Sequence, residues 1–333
     1  MLKVGLLGAG RIGRVHAHSV AQNDKSSLVA VSDVNGQAAE ELAAQYGIKA
    51  CSAEDIFKDD GIDAVLIASS TDTHSDLIEA AVKAGKAVFC EKPVDLSLAR
   101  ARQCQIVAET AGHPVMIGFN RRFDPNFSAL KAAFDAGEIG KGELLTVTSF
   151  DPAPPPVSYV KVSGGLYRDM MIHDFDMVCW LYGDCPVGVT ATGASLVDPE
   201  IGKAGDVDTA VVTLQFADGR LAVIKNSRRA AFGYDQRIEL LGASGMLSAE
   251  NMLENTVVKS TADGVVSAKP EHFFLERYMK AYTIEWASFV EAIEAKHDFP
   301  ATLKDGVNAL LLAEAANLSL KEGRTVRLEE ISV

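Results

Sequence analysis

The feature that most restricts what this chain can fold into lies within its first thirteen residues. Gly8-Ala9-Gly10-Arg11-Ile12-Gly13 reads G-x-G-x-x-G, directly after an apolar run and at the start of a helical pattern. In that setting each glycine has its own task. Gly8 permits a tight turn, Gly10 lets the main chain approach a pyrophosphate, and Gly13 lets helix and strand pack closely. The helix start then offers unpaired N–H groups and a partial positive charge to phosphates. Alone the hexapeptide is a weak signal, but Asp33 ends the second apolar run, 20 residues past Gly13. A carboxylate there accepts hydrogen bonds from the adenine-ribose hydroxyls. It would also repel a 2′-phosphate, and Val34 and Asn35 bring no arginine to neutralise one. NAD is therefore expected over NADP.

The rest of the first 120 residues fits that start. Strands are expected at Lys3–Leu7, Leu28–Ser32, Ala64–Ala68, Ala87–Cys90 and Val115–Gly118, mostly without inside-outside alternation, as in a parallel sheet covered on both faces. Helical patterns separate them at Arg11–Gln22, Gly36–Tyr46, Thr73–Ala84 and Ser97–Ala111, and Gly47, Gly85 and Gly112 follow three of these as helix caps. Residues 1–120 thus read as a doubly wound α/β Rossmann domain.

Beyond Gly118 the texture changes. A helix at Pro125–Ala136 and a strand at Glu143–Phe150 lead to Asp151-Pro152-Ala153-Pro154-Pro155-Pro156, which can be neither helix nor central strand. A helix over Asp169–Tyr182 follows, then strands at Val187–Ala194, Thr209–Phe216, Leu221–Asn226 and Gln236–Leu241, with Asp218-Gly219 as a hairpin signal. Helices at Phe274–Ala295 and Leu303–Glu322 close the chain. Residues 121–333 read as an α+β domain with an open, mostly antiparallel sheet.

Bulk properties remove several functional classes. At 333 residues, 48% hydrophobic and 23% charged, the chain has the composition of a globular protein. A formal charge of −13 argues against binding nucleic acid or anionic lipid, and no apolar run approaches the roughly 20 residues that span a bilayer. Met1–Leu7 is apolar but is soon followed by glycines, arginines and histidines, so it reads as a buried strand rather than a signal peptide. Five cysteines without a C-x-x-C pair suit a reducing cytoplasm. Asp174 and Asp176 flank His173 without any metal-ligand spacing, so no metal is expected.

A second motif, Cys90-Glu91-Lys92-Pro93, sits at the C-terminal edge of the fifth strand, where α/β sheets bind ligands. Together with Gly8–Gly13 and Ser69-Ser70-Thr71-Asp72-Thr73-His74 it resembles the glucose-fructose oxidoreductase/inositol dehydrogenase/rhizopine catabolism (Gfo/Idh/MocA) family, over essentially the whole chain. Gly164-Gly165-Leu166-Tyr167-Arg168-Asp169-Met170-Met171-Ile172-His173-Asp174-Phe175-Asp176 and the proline run look like the branch that oxidises inositol. The resemblance implies NAD-dependent oxidation of a secondary alcohol of a cyclic polyol, myo-inositol to its 2-keto form. It implies that Lys92, Asp169 and His173 converge on substrate beside the nicotinamide, with further contacts from Arg122, Tyr234 and Tyr282. The cofactor set it implies is Gly8, Ala9, Gly10, Arg11, Ile12, Gly13, Asp33, Ser69, Thr71, His74, Glu91 and Lys92. It also implies a homotetramer built from face-to-face sheets. Ser70 departs from a common proline, and Phe150 and Cys179 stand where polar or basic residues are expected.

The residue types suit hydride transfer. A neutral imidazole, with an ordinary pKa of about 6.5, can take the hydroxyl proton as the carbonyl forms. Asp169 lies four residues before His173, so one helix would put both on one face and let the carboxylate fix the imidazole tautomer. Lys92 would donate a hydrogen bond to the developing alkoxide, or act as the base if desolvation lowers its pKa. Blander readings stand beside these: Arg122 pairing with acids, His74 capping the helix after the fourth strand, and His16 as a structural residue. Another inositol isomer, an aldose or an anhydrosugar stays open as substrate, as does a non-catalytic dinucleotide-sensing regulator.

Overall fold

The computed structural model describes residues 1–113 and 115–331, and the chain clusters into two compact units. The first is built from Met1–Phe123 and Lys280–Leu310, the second from Asp124–Met279 and the stretch from Leu311 onward. The first crossing lies close to residue 120, and the chain then re-enters the first unit late, which no local pattern announces.

In the first unit the chain runs β1 (Leu2–Leu7), α1 (Arg11–Ala21), β2 (Ser26–Ser32), α2 (Gly36–Tyr46), β3 (Lys49–Ala50), α3 (Ala53–Lys58), β4 (Ala64–Ile67), α4 (His74–Lys83), β5 (Ala87–Glu91), α5 (Leu98–Ala111) and β6 (Val115–Gly118). Among the described residues these strands form one parallel sheet in the order β3-β2-β1-β4-β5-β6. The order reverses between β1 and β4, the place where such sheets open a crevice at their C-terminal edge. Every residue of β4 and β6 is buried, the expected consequence of helices on both faces. The expectation omitted β3, two exposed residues, and α3, which a reciprocal Ser52–Asp55 capping box starts.

The returning segment completes this core. The rings of Trp286 and Phe289 meet Phe89 of β5 edge-on at 5.9 and 5.7 Å, and Trp286 Nε1 donates to Ser26 Oγ at 2.9 Å. Ile117 N donates to Ala301 O at 3.0 Å, tying the returning chain to β6. All three aromatic side chains are fully buried, each contributing about 1.5–3 kcal/mol by removal from water.

The second unit holds α6 (Pro125–Asp135), β7 (Gly142–Phe150), α7 (Val157–Ser163), α8 (Gly165–Asp169), α9 (Ile172–Tyr182), β8 (Gly188–Ala194), α10 (Pro199–Lys203), β9 (Thr209–Gln215), β10 (Leu221–Ser227), β11 (Asp235–Gly242), β12 (Gly245–Ala249), the hairpin β13 (Val258–Thr261) and β14 (Gly264–Ser267), and α11 (Phe274–Arg277). α12 (Met279–Ala295), from Lys280 onward, and the start of α13 (Leu303–Glu322) belong to the first unit, and β15 (Val326–Arg327) returns to the second. Seven described strands form a sheet ordered β12-β11-β7-β10-β9-β8-β15, antiparallel except where β10 runs parallel to β7. Asp218-Gly219 makes the β9–β10 turn, with Gly219 at φ +91°. The proline run forms neither helix nor strand, as expected.

Two expected helices are divided. Phe274–Ala295 is parted at Tyr278 into α11 and α12. Asp169–Tyr182 is not one helix either: Asp169 ends α8 and α9 starts at Ile172. Met170 N and Met171 N both donate to Leu166 O, at 3.1 and 2.9 Å, while Asp174 N and Phe175 N both turn to Met171 O at 2.9 Å. The hydrogen-bond ladder is thus restarted at Met171. The single-helix argument for putting Asp169 and His173 on one face is replaced by a helix–turn–helix corner.

Candidate active site

The glycine-rich turn separates three steric demands. A Cβ on Gly13 would lie 2.0 Å from Gly8 O, and one on Gly8, at φ +109°, would lie 2.4 Å from Ala68 O. A Cβ on Gly10 would meet no atom within 4 Å. Gly8 and Gly13 are therefore demanded by the protein itself, whereas Gly10 keeps a face of main chain open. No side chain caps α1 at Gly10, so its first turn offers N–H groups without a side-chain acceptor. Asp33 Oδ2 accepts from Ala9 N at 2.6 Å and Oδ1 from Asn35 N at 2.7 Å, joining the end of β2 to the turn. Each carboxylate oxygen retains a second lone pair for a hydroxyl donor. An uncapped helix start, an open glycine face and an acid beside them fit a dinucleotide. Ala9 is buried, Ile12 half-buried and Arg11 exposed.

After β4, Ser69 Oγ and Thr73 Oγ1 lie 2.7 Å apart, and Thr73 Oγ1 donates to Ser70 O, shaping the turn that holds Thr71 half-buried. His74, expected to cap α4 or touch cofactor, is 1% exposed. Its Nδ1 lies 2.8 Å from Pro93 O and its Nε2 3.2 Å from Ser69 O. A neutral ring can donate to only one of them at a time. Burial holds its pKa below the ordinary histidine value against the pull of both carbonyls and Glu91. The side chain thus ties the Ser69 turn to the Lys92-Pro93 segment, whose peptide bond is cis.

Glu91 is drawn inward. Its Oε1 lies 2.7 Å from Nε2 of the fully buried His16, and its Oε2 accepts from Lys92 N at 3.2 Å. The His16 ring meets Phe89 and Tyr282 edge-on at 5.1 and 5.4 Å. The structural reading of His16 accounts for this geometry, and Glu91 fixes the backbone from which the half-buried Lys92 projects. Arg122, also in this unit, is 6% exposed; Nη1 donates to Pro300 O at 2.5 Å and Nη2 pairs with Asp305 Oδ1 at 3.2 Å. Burial alone would raise the Asp305 carboxyl, but Arg122 beside it and the Thr302 donors hold it below its ordinary pKa. The guanidinium matches the acid-pairing alternative.

In the second unit His173 is half-buried on the first turn of α9. Asp169 Oδ1 accepts from Tyr159 Oη at 3.0 Å, and Oδ2 faces Arg228 Nη2 at 3.5 Å. Its neighbour Arg168 turns to Glu314, donating from Nε and Nη2 at 2.7 and 2.8 Å. Asp174 is fully buried, and Asn226 Nδ2 donates to its Oδ2 at 2.8 Å. Tyr234 is buried with its ring edge-on to Phe273 and Tyr278, at 6.1 and 6.0 Å. Cys179 Sγ lies 3.3 Å from Cys185 Sγ. Sequence reasoning did not single out Tyr159, Arg228 or Asn226. Tyr159 follows the proline run with no motif, and a buried arginine at a strand end leaves no periodic trace.

The family model described as "Oxidoreductase family, NAD-binding Rossmann fold" matches residues 2–119, and the Gfo/Idh/MocA C-terminal domain model matches residues 127–248. The chain belongs to the Gfo/Idh/MocA oxidoreductase family. Its Rossmann unit is accordingly an NAD-binding one. This family member is 49% identical to an inositol 2-dehydrogenase of Rhizobium meliloti, over 98% of its own length and 99% of the relative's. It is 46% identical to a myo-inositol 2-dehydrogenase of Thermotoga maritima, covering 99% of both chains. A solved myo-inositol dehydrogenase from Corynebacterium glutamicum superposes with a TM-score of 0.95 at 44% identity, covering 98% of this chain and 99% of that one.

Proposed function

We propose that this protein oxidises a ring hydroxyl of an inositol, myo-inositol to its 2-keto form, as an NAD-dependent inositol 2-dehydrogenase. What carries the reading is the full-length likeness to relatives of that name, with Lys92, Asp169 and His173 all present. Bound NAD would supply the acceptor for the hydride leaving the carbinol carbon. His173 takes the hydroxyl proton, Asp169 orients the imidazole and stabilises its cation, and Lys92 donates to the oxygen as negative charge develops. Gly10 and the α1 N-terminus would hold the pyrophosphate, and Asp33 would accept from the adenine ribose.

The proposal extends to a homotetramer acting in the cytoplasm. No described helix is long and apolar enough to cross a membrane, and no disulfide joins the described cysteines. β9 alternates buried Ala210, Val212 and Leu214 with outward residues, and Val211, Leu221, Leu241 and Met246 leave that sheet's outer face partly apolar. Light scattering of the purified protein should give four times the chain mass.

A substrate panel with NAD⁺ tests the activity: myo-inositol, scyllo-inositol, glucose and an anhydrosugar, followed by NADH formation. Myo-inositol should turn over fastest. Turnover of glucose with none of any inositol would reject the substrate, and NAD binding without any turnover would reject the enzyme. Lys92→Ala and His173→Ala should each remove most turnover while NAD binding survives, and near-normal rates in either would count against the assigned roles.

A further inference from the structure

Both carboxylate oxygens of Asp169 have a described partner within the second unit, and that hold has an unusual centre. Arg228, the residue after β10, is 2% exposed, yet its one described ion pair is the 3.5 Å contact to Asp169 Oδ2. Its Nε is buried with no hydrogen-bond partner among the described residues. A guanidinium that is removed from water needs a nearby counter-charge. Asp169 is one such charge; burial raises the Asp206 carboxyl in pKa, and Arg228 opposes that rise.

Asp206 in turn fixes the backbone that carries Asp169. Both its oxygens accept from Leu166 N, at 3.1 Å each, and its Oδ1 lies 2.7 Å from where a Cβ on Gly165 would be. Gly165 holds φ +83°, a conformation that costs other residues about 1–2 kcal/mol. The Leu166 carbonyl then accepts from Met170 and Met171, closing the corner between Asp169 and His173. At the other oxygen of Asp169, Tyr159, on α7, donates to Oδ1. A carboxylate held at one oxygen still rotates about its Cβ–Cγ bond; held at both, its plane is fixed.

We propose that Arg228 and Tyr159 are the positioning residues of the reaction: they clamp the Asp169 carboxylate, one oxygen each, and act on turnover only through it. This rests on the reading of Asp169 given above. Loss of a hydrogen bond to a charged group corresponds to about a tenfold to hundredfold effect on the step it serves. Tyr159→Phe should therefore lower kcat about tenfold, with the NAD dissociation constant and the KM for NAD unchanged. Arg228→Met should lower kcat more, and Arg228→Lys, which restores a charge, should recover part of the loss. On an Asp169→Asn background, adding Tyr159→Phe or Arg228→Met should cause no further fall.

Wild-type kcat in Tyr159→Phe, or losses that multiply with that of Asp169→Asn, would overturn the clamp. If Arg228→Met does not fold, Tyr159→Phe and its double mutant decide alone, since that change deletes one exposed-side hydroxyl. Full activity in Asp169→Asn would instead overturn the underlying site reading. Loss in Asp169→Asn with none in Tyr159→Phe leaves that reading standing and sinks only the clamp.

Discussion

Replacing Gly10 with alanine should damage NAD binding without damaging the fold, and replacing Gly13 should do the reverse first. At Gly13 the new methyl would start 2.0 Å from Gly8 O, about 1 Å short of the closest approach that real Cβ atoms make. The obstacle is main chain on both sides, so relief means prising α1 away from β1. Overpacking of that kind costs about 1–3 kcal/mol, and here the rigid partner argues for the upper end. At Gly10 the methyl meets nothing within 4 Å, and φ −70° is open to any residue. The change in stability should stay within about 1 kcal/mol, the balance of a weaker N-cap and a less flexible unfolded chain. The same methyl occupies the face that a pyrophosphate must approach. A pyrophosphate held off that face loses a charge-assisted hydrogen bond to main-chain N–H, about 1.5–3 kcal/mol, so NAD affinity should fall about tenfold to hundredfold. Thermal melting with and without NAD separates the effects: Gly10→Ala melts like the wild type but gains little from NAD, and Gly13→Ala melts low in both conditions. A Gly10→Ala protein that binds NAD normally, or melts as low as Gly13→Ala, refutes the reasoning.

Three further outcomes follow from described contacts. Asp33→Ser removes the charge facing a 2′-phosphate, so the ratio of NADP to NAD turnover should rise by an order of magnitude or so, the scale of about 1–4 kcal/mol for like charges near a surface; an unchanged ratio contradicts the role given to that acid. His74 has its folded pKa below the unfolded value because of burial. The unfolded state therefore binds the proton first, and stability should fall as pH drops below about 6.5 toward the folded pKa. His74→Gln should lose less melting temperature than the wild type over that range and match its slope at higher pH, and parallel curves throughout would exclude His74 as the cause. Asp208 accepts from Leu196, Val197 and Asp198 N at 2.8, 2.9 and 2.9 Å while fully buried. Asp208→Ala strands three donors and should destabilise the fold by about 3 kcal/mol or more in urea unfolding, and a change near zero would show that water replaces the carboxylate.

What the sequence made legible were the features whose cause is local. β4 and β6 read as strands because both faces are covered, leaving unbroken apolar runs, and β9 reads as one because only one face is. Gly8, Gly13 and Asp33 were legible because their tasks are set by a turn a few residues long. The break between α8 and α9 was not, because it depends on Asp206, forty residues away, holding Leu166 N in place of a helical partner. The tie made by His74 was not legible for a similar reason: capping chemistry is visible nearby, whereas its bond to Pro93 O crosses from one strand end to the next. Arg228 offers no pattern at all, since nothing in its neighbours says that a guanidinium there is sealed from water.

The late return of Lys280–Leu310 bears on how the molecule is made. A ribosome that has delivered β1 to β6 has synthesised every strand of the parallel sheet, but Trp286 and Phe289 are still untranslated, and Phe89 has no lid. The nucleotide-binding half therefore finishes after most of the other half has emerged, in contrast to domains that mature strictly in order of synthesis. A fragment cut after Phe123 would carry the whole fingerprint and still expose a greasy wound where α12 belongs.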